Sequence, residues 1–192
     1  MSWLKTILFA VLTGVYTGIV MLFPALESTS FQDIGIGYEW WIIFAVIVVV
    51  NCEKNWEAML KCFVFFLISQ PLVYLVQVAC GTLSMDMARY YYFGIWFKVT
   101  FLTLPGGFIA YYCKKQNILR GIVMGLGNAM EMFMCFSYLV EMKGHFPHHL
   151  LSAVVSFAAI VVMTLCIQKE KKNRIIAFAI PVAAMAALIA FY

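Results

Sequence analysis

The chain of 192 residues is 65% hydrophobic and only 11% charged, and it carries a net charge of +4. Soluble domains average about half apolar and a quarter charged residues, so this composition excludes an ordinary soluble domain and indicates a chain that lies in a lipid bilayer. The basic residues are scattered through short loops, which indicates an anionic membrane surface rather than a nucleic acid as their partner.

Apolar segments follow one another along the chain, at approximately residues 3–24, 36–52, 58–80, 89–113, 118–140, 149–168 and 175–192. A helix needs about 20 apolar residues to cross ~30 Å of hydrocarbon. Helices are expected because backbone groups in lipid must bond within their own segment. We therefore predict an all-α, polytopic bundle of about seven spans, with residues 1–192 forming a single transmembrane domain.

The second and last of these segments have alternatives. If Glu39 lies in water, only about a dozen residues remain before Asn51, a length typical of a short or re-entrant segment. Six spans plus such a segment is then the alternative architecture. For the alanine-rich last segment, the alternative is a peripheral position.

Positive charge indicates the orientation of the bundle. In the seven-span arrangement only Arg89 and Lys143 fall on one side. The other side holds Lys5, Lys54, Lys61, Lys114, Lys115, Arg120, Lys169, Lys171, Lys172 and Arg174. Because an excess of Lys and Arg marks the cytoplasmic side, we expect a cytoplasmic N-terminus in a multi-pass protein of the cell (plasma) membrane.

Two charged residues fall deep inside apolar segments. Lys98 belongs to the fourth segment and Glu131 to the fifth, each nine residues below the outer end of its segment. At the helical rise of 1.5 Å per residue, both are about 13 Å deep. Because an isolated charge in hydrocarbon is costly, we predict that the two side chains form an intramembrane pair. The alternative is a structural bridge that only fixes which helices are neighbours.

Other polar and aromatic residues lie near the same depth. Gln70, Tyr74 and Gln77 are spaced to share one face of the third segment, and Asn128 precedes Glu131 by one helical turn. We predict a solute-binding site composed of Lys98, Glu131, Gln70, Asn128, Tyr74, Gln77 and Trp96.

Prolines in two of these segments predict kinks. Pro71 directly follows Gln70, and Pro105 is followed by Gly106 and Gly107. Proline removes a helical hydrogen bond, and interrupted helices line the binding sites of many transporters. We expect a kink at Pro71 and a kink or brief unwinding at 105–107.

The outer loops carry several of the remaining acidic residues and all three histidines. These are Glu27, Asp33 and Glu39 in one loop, and His145, His148 and His149, close to Glu141, in another. Their spacing completes no recognised set of metal ligands, so we predict solvated loops, no metal site and no cofactor.

The polar layer favours a small transporter, or a solute-binding membrane subunit of one, that handles a small polar or anionic solute. In this hypothesis Lys98 meets an anionic group of the solute, while aromatic side chains such as Tyr74, Tyr91 and Trp96 stack on a ring.

Two other functions stay open. One is a structural or accessory subunit that contacts a membrane partner or a second copy through Gly14, Gly18 and the last helix. The other is an intramembrane enzyme acting on a lipid, in which Glu131 is joined by His145 or His148. The sequence contains no H-E-x-x-H, G-x-S-x-G, Walker A or dinucleotide motif, which makes an enzyme the less favoured hypothesis.

Overall fold

The computed structural model describes residues 1–27, 29–114 and 118–190. Lys115, predicted to be cytoplasmic, and residues 191–192 of the last predicted segment lie outside these ranges. The described residues are 87% helical and contain no β-strand, which confirms the prediction of an all-α protein.

The helices are α1 (Trp3–Val20), α2 (Ser30–Ile36), α3 (Tyr38–Val50), α4 (Asn55–Ala79), α5 (Met85–Tyr91), α6 (Phe97–Ala110), α7 (Ile118–His145), α8 (Leu150–Ile167) and α9 (Lys171–Ala190). A π-helix at Tyr92–Trp96 joins α5 to α6, and short 3-10 helices occur at Pro24–Leu26 and Tyr111–Lys114.

Six helical stretches of the described chain are long and apolar enough to cross a membrane. They are α1, α4, the combined stretch Met85–Lys114, α7, α8 and α9. The second predicted segment corresponds to α2 and α3, which meet at a bend of 56° and form a broken span or a re-entrant segment. With 7 and 13 residues, the two helices together rise about 30 Å along their axes.

The basic end of the bundle is assembled from several connections. The amino group of Met1 donates to the carbonyl of Asn51, so α3 ends where α1 begins. Lys61, near the start of α4, donates to the carbonyl of Met1, and Lys114 donates to the carbonyl of Cys52. These contacts bring the basic residues of α1, α4 and the α6–α7 connection to one end, which the positive-inside rule assigns to the cytoplasm.

An aromatic core holds α3 against α1 and α4. Trp41 is 5% exposed, and its ring lies 5.6 Å from that of Phe66 and 5.8 Å from that of Phe44. Its indole N–H donates to the carbonyl of Gly35 at 3.0 Å, which links α3 to α2 across the bend. This packing fixes the start of α3, where Glu39 lies.

Glycines allow close helix contacts within this chain. A Cβ atom on Gly14 would lie 2.5 Å from the carbonyl oxygen of Ser69, so α1 and α4 touch backbone to backbone. Gly18 meets Val76 of α4 in the same way. The prediction that Gly14 and Gly18 face a partner protein is therefore wrong. The outer part of α9 stays largely exposed, while its inner part packs on α7.

The prolines leave their helices unbroken. α4 continues through Pro71 and α6 continues through Pro105, so the unwinding expected at 105–107 does not occur. A bend without a break at either proline stays a prediction. Gly107 instead lets α6 approach α4, because a Cβ atom there would lie 3.0 Å from the carbonyl oxygen of Ala58. The backbone departs from α-helical geometry earlier, at the π-helix Tyr92–Trp96.

Candidate functional site

Lys98 and Glu131 do not form the predicted pair. Lys98 is exposed on α6 and has no ion-pair partner within the described chain. Glu131 is fully buried on α7, and neither of its carboxyl oxygens has a hydrogen-bond partner there. The helices that carry them, α6 and α7, make little direct contact with each other. Equal depth in the membrane is therefore not enough to predict that these two side chains are in contact.

Four of the predicted site residues do come together. Gln70, Tyr74, Gln77 and Trp96 line a cavity of about 320 Å³, which we call the outer cavity. The rest of its wall is Thr17, Met21, Gly35, Ile36, Trp41, Val73, Leu83 and Tyr91. Met21 and Leu83 lie just beyond the outer ends of α1 and α4, which places the cavity at the end opposite the basic cluster.

The outer cavity contains buried polar atoms without partners. Gln70 is 3% exposed, and its Nε2 atom has no hydrogen-bond partner within the described chain. The same holds for Oγ1 of Thr17, which is 1% exposed. Gln77 uses its Nε2 atom locally, donating to the carbonyl of Val73 at 3.0 Å. Because buried polar groups in native proteins are nearly always hydrogen-bonded, Gln70 and Thr17 are groups of this wall to which a bound molecule or water could supply a hydrogen-bond partner.

Aromatic rings form the rest of the wall. Tyr74 and Tyr91 stack with their ring centroids 6.2 Å apart and their planes 16° from parallel. Trp41 and Trp96 line the same space. No charged side chain belongs to this lining. The cavity therefore offers flat apolar surfaces together with an amide and a hydroxyl group.

A second cavity, of about 480 Å³, lies between α3, α4, α6 and α7. Its wall is almost entirely apolar. Asn128 reaches its wall, but its Nδ2 atom donates to Thr164 Oγ1 at 2.8 Å and to the carbonyl of Ala177 at 3.0 Å. Asn128 thus connects α7 to α8 and α9 and lies outside the outer cavity.

Two acidic residues of the outer loop are buried, contrary to the prediction of a solvated loop. Asp33 is 5% exposed, and its Oδ2 atom bonds Ser152 Oγ at 2.7 Å and His149 Nδ1 at 2.8 Å. Glu39 is fully buried and accepts a hydrogen bond from the hydroxyl of Tyr138 at 2.6 Å. The sequence predicts that acids near an apolar segment lie in water, because it does not show which donor groups bond to them in the folded chain.

His149 connects this buried acid to the surface. Its Nε2 atom lies 3.7 Å from a carboxyl oxygen of the exposed Glu141, and its ring stacks on Tyr138 at 5.2 Å. Its backbone adopts φ 60°, a left-handed conformation that is strained for a residue with a Cβ atom. The bonds to Asp33 and the stacking on Tyr138 hold the imidazole in this orientation, so the prediction of a solvated His149 is wrong.

The serine, histidine and aspartate found together here lack the arrangement of a hydrolase triad. Both Ser152 Oγ and His149 Nδ1 bond to the Asp33 carboxylate, whereas a catalytic serine must donate to the imidazole. His145 and His148 are exposed and stack on each other at 5.9 Å. His145 lies fourteen residues beyond Glu131 on α7, about 21 Å along the axis, so the proposed enzyme pairing loses its geometric basis.

Sequence reasoning missed Thr17, Asp33, Glu39, Tyr138 and His149 as members of polar clusters. Tyr138 had a usable signal, because it continues the buried stripe of Glu131 and Cys135 along α7. The other four had none, since each depends on which helix lies opposite. Comparison of the chain with protein-family models, curated proteins and solved structures gave no match.

Proposed function

We propose that this integral membrane protein binds a small, uncharged, ring-bearing polar solute in the outer cavity, as a transporter or as the solute-binding subunit of one. The membrane is the cell membrane, with the cavity opening to the outside. One observation carries the proposal: two buried polar groups, Gln70 Nε2 and Thr17 Oγ1, lack partners in an aromatic cavity.

The size and lining of the cavity define the solute class. A volume of about 320 Å³ is at the small end of the range for sites that enclose small molecules, roughly 300–1,000 Å³. Stacked Tyr74 and Tyr91 suit a planar ring, Gln70 offers a donor, and Thr17 offers a hydroxyl. The anionic solute considered from the sequence is disfavoured, because Lys98 lies outside the lining and no other cation replaces it there.

The experiment measures binding of uncharged probes and their charged analogues to the purified chain in lipid nanodiscs. Nicotinamide and benzamide are compared with nicotinate and benzoate, and quenching of tryptophan fluorescence reports occupancy near Trp41 and Trp96. The amides should bind and the carboxylates should not. Gln70→Leu should weaken amide binding about tenfold, the equivalent of one lost hydrogen bond of ~1.4 kcal/mol.

Lys98→Gln is the matched control for this experiment. It removes a charge from the predicted polar layer without touching the cavity wall, so amide binding should be unchanged. Binding that is equal for amides and carboxylates, or lost in Lys98→Gln and kept in Gln70→Leu, would contradict the proposal.

A second function, that of an accessory subunit, is favoured by the position of Lys98. This residue is exposed near the middle of the 30-residue stretch Met85–Lys114. Only 11% of an apolar 18-residue part of that stretch is buried inside the protein. A charge exposed to hydrocarbon needs a partner or a path to water. A second copy offers no acid at this depth, because Glu39 and Glu131 are both fully buried. The partner in this hypothesis is a different membrane protein that carries an intramembrane carboxylate.

A further inference from the structure

Two buried carboxyl groups lie close together away from the outer cavity. Glu39 at the start of α3 and Glu131 in the middle of α7 are both 0% exposed. Tyr138, whose hydroxyl bonds Glu39 at 2.6 Å, lies two helical turns from Glu131 on the same buried stripe of α7, so both carboxyl groups face one interior. Tyr138 satisfies one oxygen of Glu39, but Oε2 of Glu39 and both oxygens of Glu131 have no donor within the described chain.

Neutral oxygens without partners surround the same position. Asn128 lies one turn before Glu131 on α7, and its Oδ1 atom has no partner among the described residues. Ser156 of α8 is fully buried, and its Oγ atom is also without one. Two antiparallel contacts of α7 with α8, Cys135 Sγ to Ala153 O and Asn128 Nδ2 to Thr164 Oγ1, bracket Glu131 on α7 and Ser156 on α8.

This interior, which we call the acceptor cluster, contains the oxygen atoms of two carboxyl groups, an amide and a hydroxyl. Its members are Glu39, Asn128, Glu131 and Ser156. Burying a carboxylate without a donor or a cation costs several kcal/mol. The titratable groups that face this interior from the surrounding helices are Asp33 of α2, Cys135 and Tyr138 of α7, and His149, whose Nδ1 atom is bonded to Asp33, so they include no Lys or Arg.

We propose that the acceptor cluster binds a monovalent cation, Na⁺ or a proton, that enters from the outer end of the bundle. Oxygen atoms of carboxyl, amide and hydroxyl groups are the ligands that hard cations prefer. A divalent ion is disfavoured because the described residues contain no group of three His, Cys, Asp or Glu side chains that would hold a metal ion. A Na⁺ ion would bind the oxygens directly, whereas a proton would sit on one carboxyl group and be donated to a neighbouring acceptor.

The outer surface supplies a route for a positive ion. Glu141 is 54% exposed, His149 lies between it and the buried Asp33, and Tyr138 stacks on His149 while donating to Glu39. This series of acidic and hydrogen-bonding groups runs from water toward Glu131.

Glu39, Glu131 and Ser156 do not line the outer cavity, and neither does Asn128. The cation site therefore stands whether or not the proposed solute binds.

The test measures thermal unfolding of the full chain in nanodiscs, in NaCl or choline chloride of equal ionic strength, between pH 5.5 and 8.5. A ligand that binds only the folded state raises the unfolding midpoint with its concentration. If Na⁺ is the occupant, the midpoint rises with NaCl and not with choline chloride. If the proton is the occupant, the unfolding midpoint does not depend on Na⁺. It falls as the pH rises, because only the folded state keeps the proton.

Three variants assign the effect to the acceptor cluster. Glu131→Gln keeps the shape of the side chain and should abolish either dependence while raising the midpoint in choline chloride. Ser156→Ala should weaken the Na⁺ dependence and leave the proton dependence intact. Asp86→Asn removes a carboxyl group that is 95% exposed and should behave as the unmodified chain.

A direct binding measurement tests the proposal even if a variant unfolds irreversibly. Equilibrium binding of ²²Na⁺ to the unmodified chain and to Glu131→Gln is compared at high and low pH. Specific binding lost in Glu131→Gln supports Na⁺, and a pH-dependent midpoint lost in the same variant supports the proton. The proposal is overturned if neither Na⁺ nor pH affects the unmodified chain, or if Glu131→Gln keeps the full dependence.

Discussion

Tyr138 is the residue that makes the burial of Glu39 tolerable. Its hydroxyl donates to Glu39 at 2.6 Å, both side chains are at least 95% buried, and no other side-chain donor reaches this carboxyl group within the described chain. A buried acceptor that loses its only donor costs its full desolvation energy. The stability of the α3–α7 contact therefore depends on a single phenolic hydroxyl.

Tyr138→Phe should lower the free energy of unfolding by about 1–3 kcal/mol, because it leaves a buried carboxyl group without a donor and opens almost no cavity. Thermal unfolding in nanodiscs measures the change. Tyr90→Phe, which removes the same hydroxyl from a residue that is 71% exposed, is the control and should have little effect. Equal midpoints for the two variants would show that the Tyr138 hydroxyl contributes nothing.

Residue spacing within one helix predicted the outer cavity better than depth predicted the ion pair. Gln70, Tyr74 and Gln77 lie on one helix, so their shared face follows from periodicity alone, and all three line the cavity. Lys98 and Glu131 lie on different helices, and equal depth leaves the direction of each side chain around its helix undetermined. Pairing across helices needed the packing order, which the sequence does not contain.

Among the described helices, α1 and α4 make the most extensive contact, followed by α7 and α9. Gly14 and Gly18 serve the first contact, while Gly121 and Gly125 serve the second, facing Asn173 and Ile180. Hydropathy predicted all these helices, and the small residues predicted that some of their faces are contact faces. Neither signal names the opposite helix, which is why a contact inside the chain was assigned to a partner protein.

Gly14→Ala should lower the free energy of unfolding by about 1–3 kcal/mol, because the new Cβ atom would overlap a backbone oxygen and force the two helices apart. The control is Gly127→Ala, where a Cβ atom meets nothing within 4 Å. That change should be neutral or stabilising, since alanine is favoured over glycine in helices by about 1 kcal/mol. Urea or thermal unfolding distinguishes them, and a harmless Gly14→Ala would contradict the close packing of α1 on α4.

At the scale of the whole molecule, the bundle has a basic end, an outer end with buried acids, and one poorly covered side. Apolar run length predicted the spans closely, whereas the assignment of the basic end to the cytoplasm stays a prediction from the distribution of Lys and Arg. The 56° bend between α2 and α3 was not predictable, because it depends on Trp41 packing into the aromatic core and on the burial of Glu39. The poorly covered side is the face of α6 that carries Lys98.

The accessory-subunit hypothesis predicts a specific neighbour for Lys98. A photo-crosslinking residue placed at position 98 should join the chain to a different membrane protein, whereas one at Val182, which is 61% exposed on α9, should join it to lipid only. Lys98→Glu should abolish the complex, because it places two negative charges together in hydrocarbon. Exchanging the partner's intramembrane acid for lysine should then restore it. A crosslinking pattern identical at 98 and 182 would contradict the hypothesis.

If the outer cavity binds a solute as proposed, the π-helix at Tyr92–Trp96 affects which solutes it accepts. In a regular α-helix Tyr91 and Lys98, seven residues apart, fall on one stripe, and Tyr91 faces the outer cavity. A π-turn contains about one residue more than an α-turn, and each residue of an α-helix advances it by roughly 100°. This change of helical phase directs the ammonium group away from the cavity. Under the proposed function, a preference for neutral over anionic solutes would then be encoded in the backbone, by one extra residue in a turn, rather than in the choice of any side chain that touches the solute.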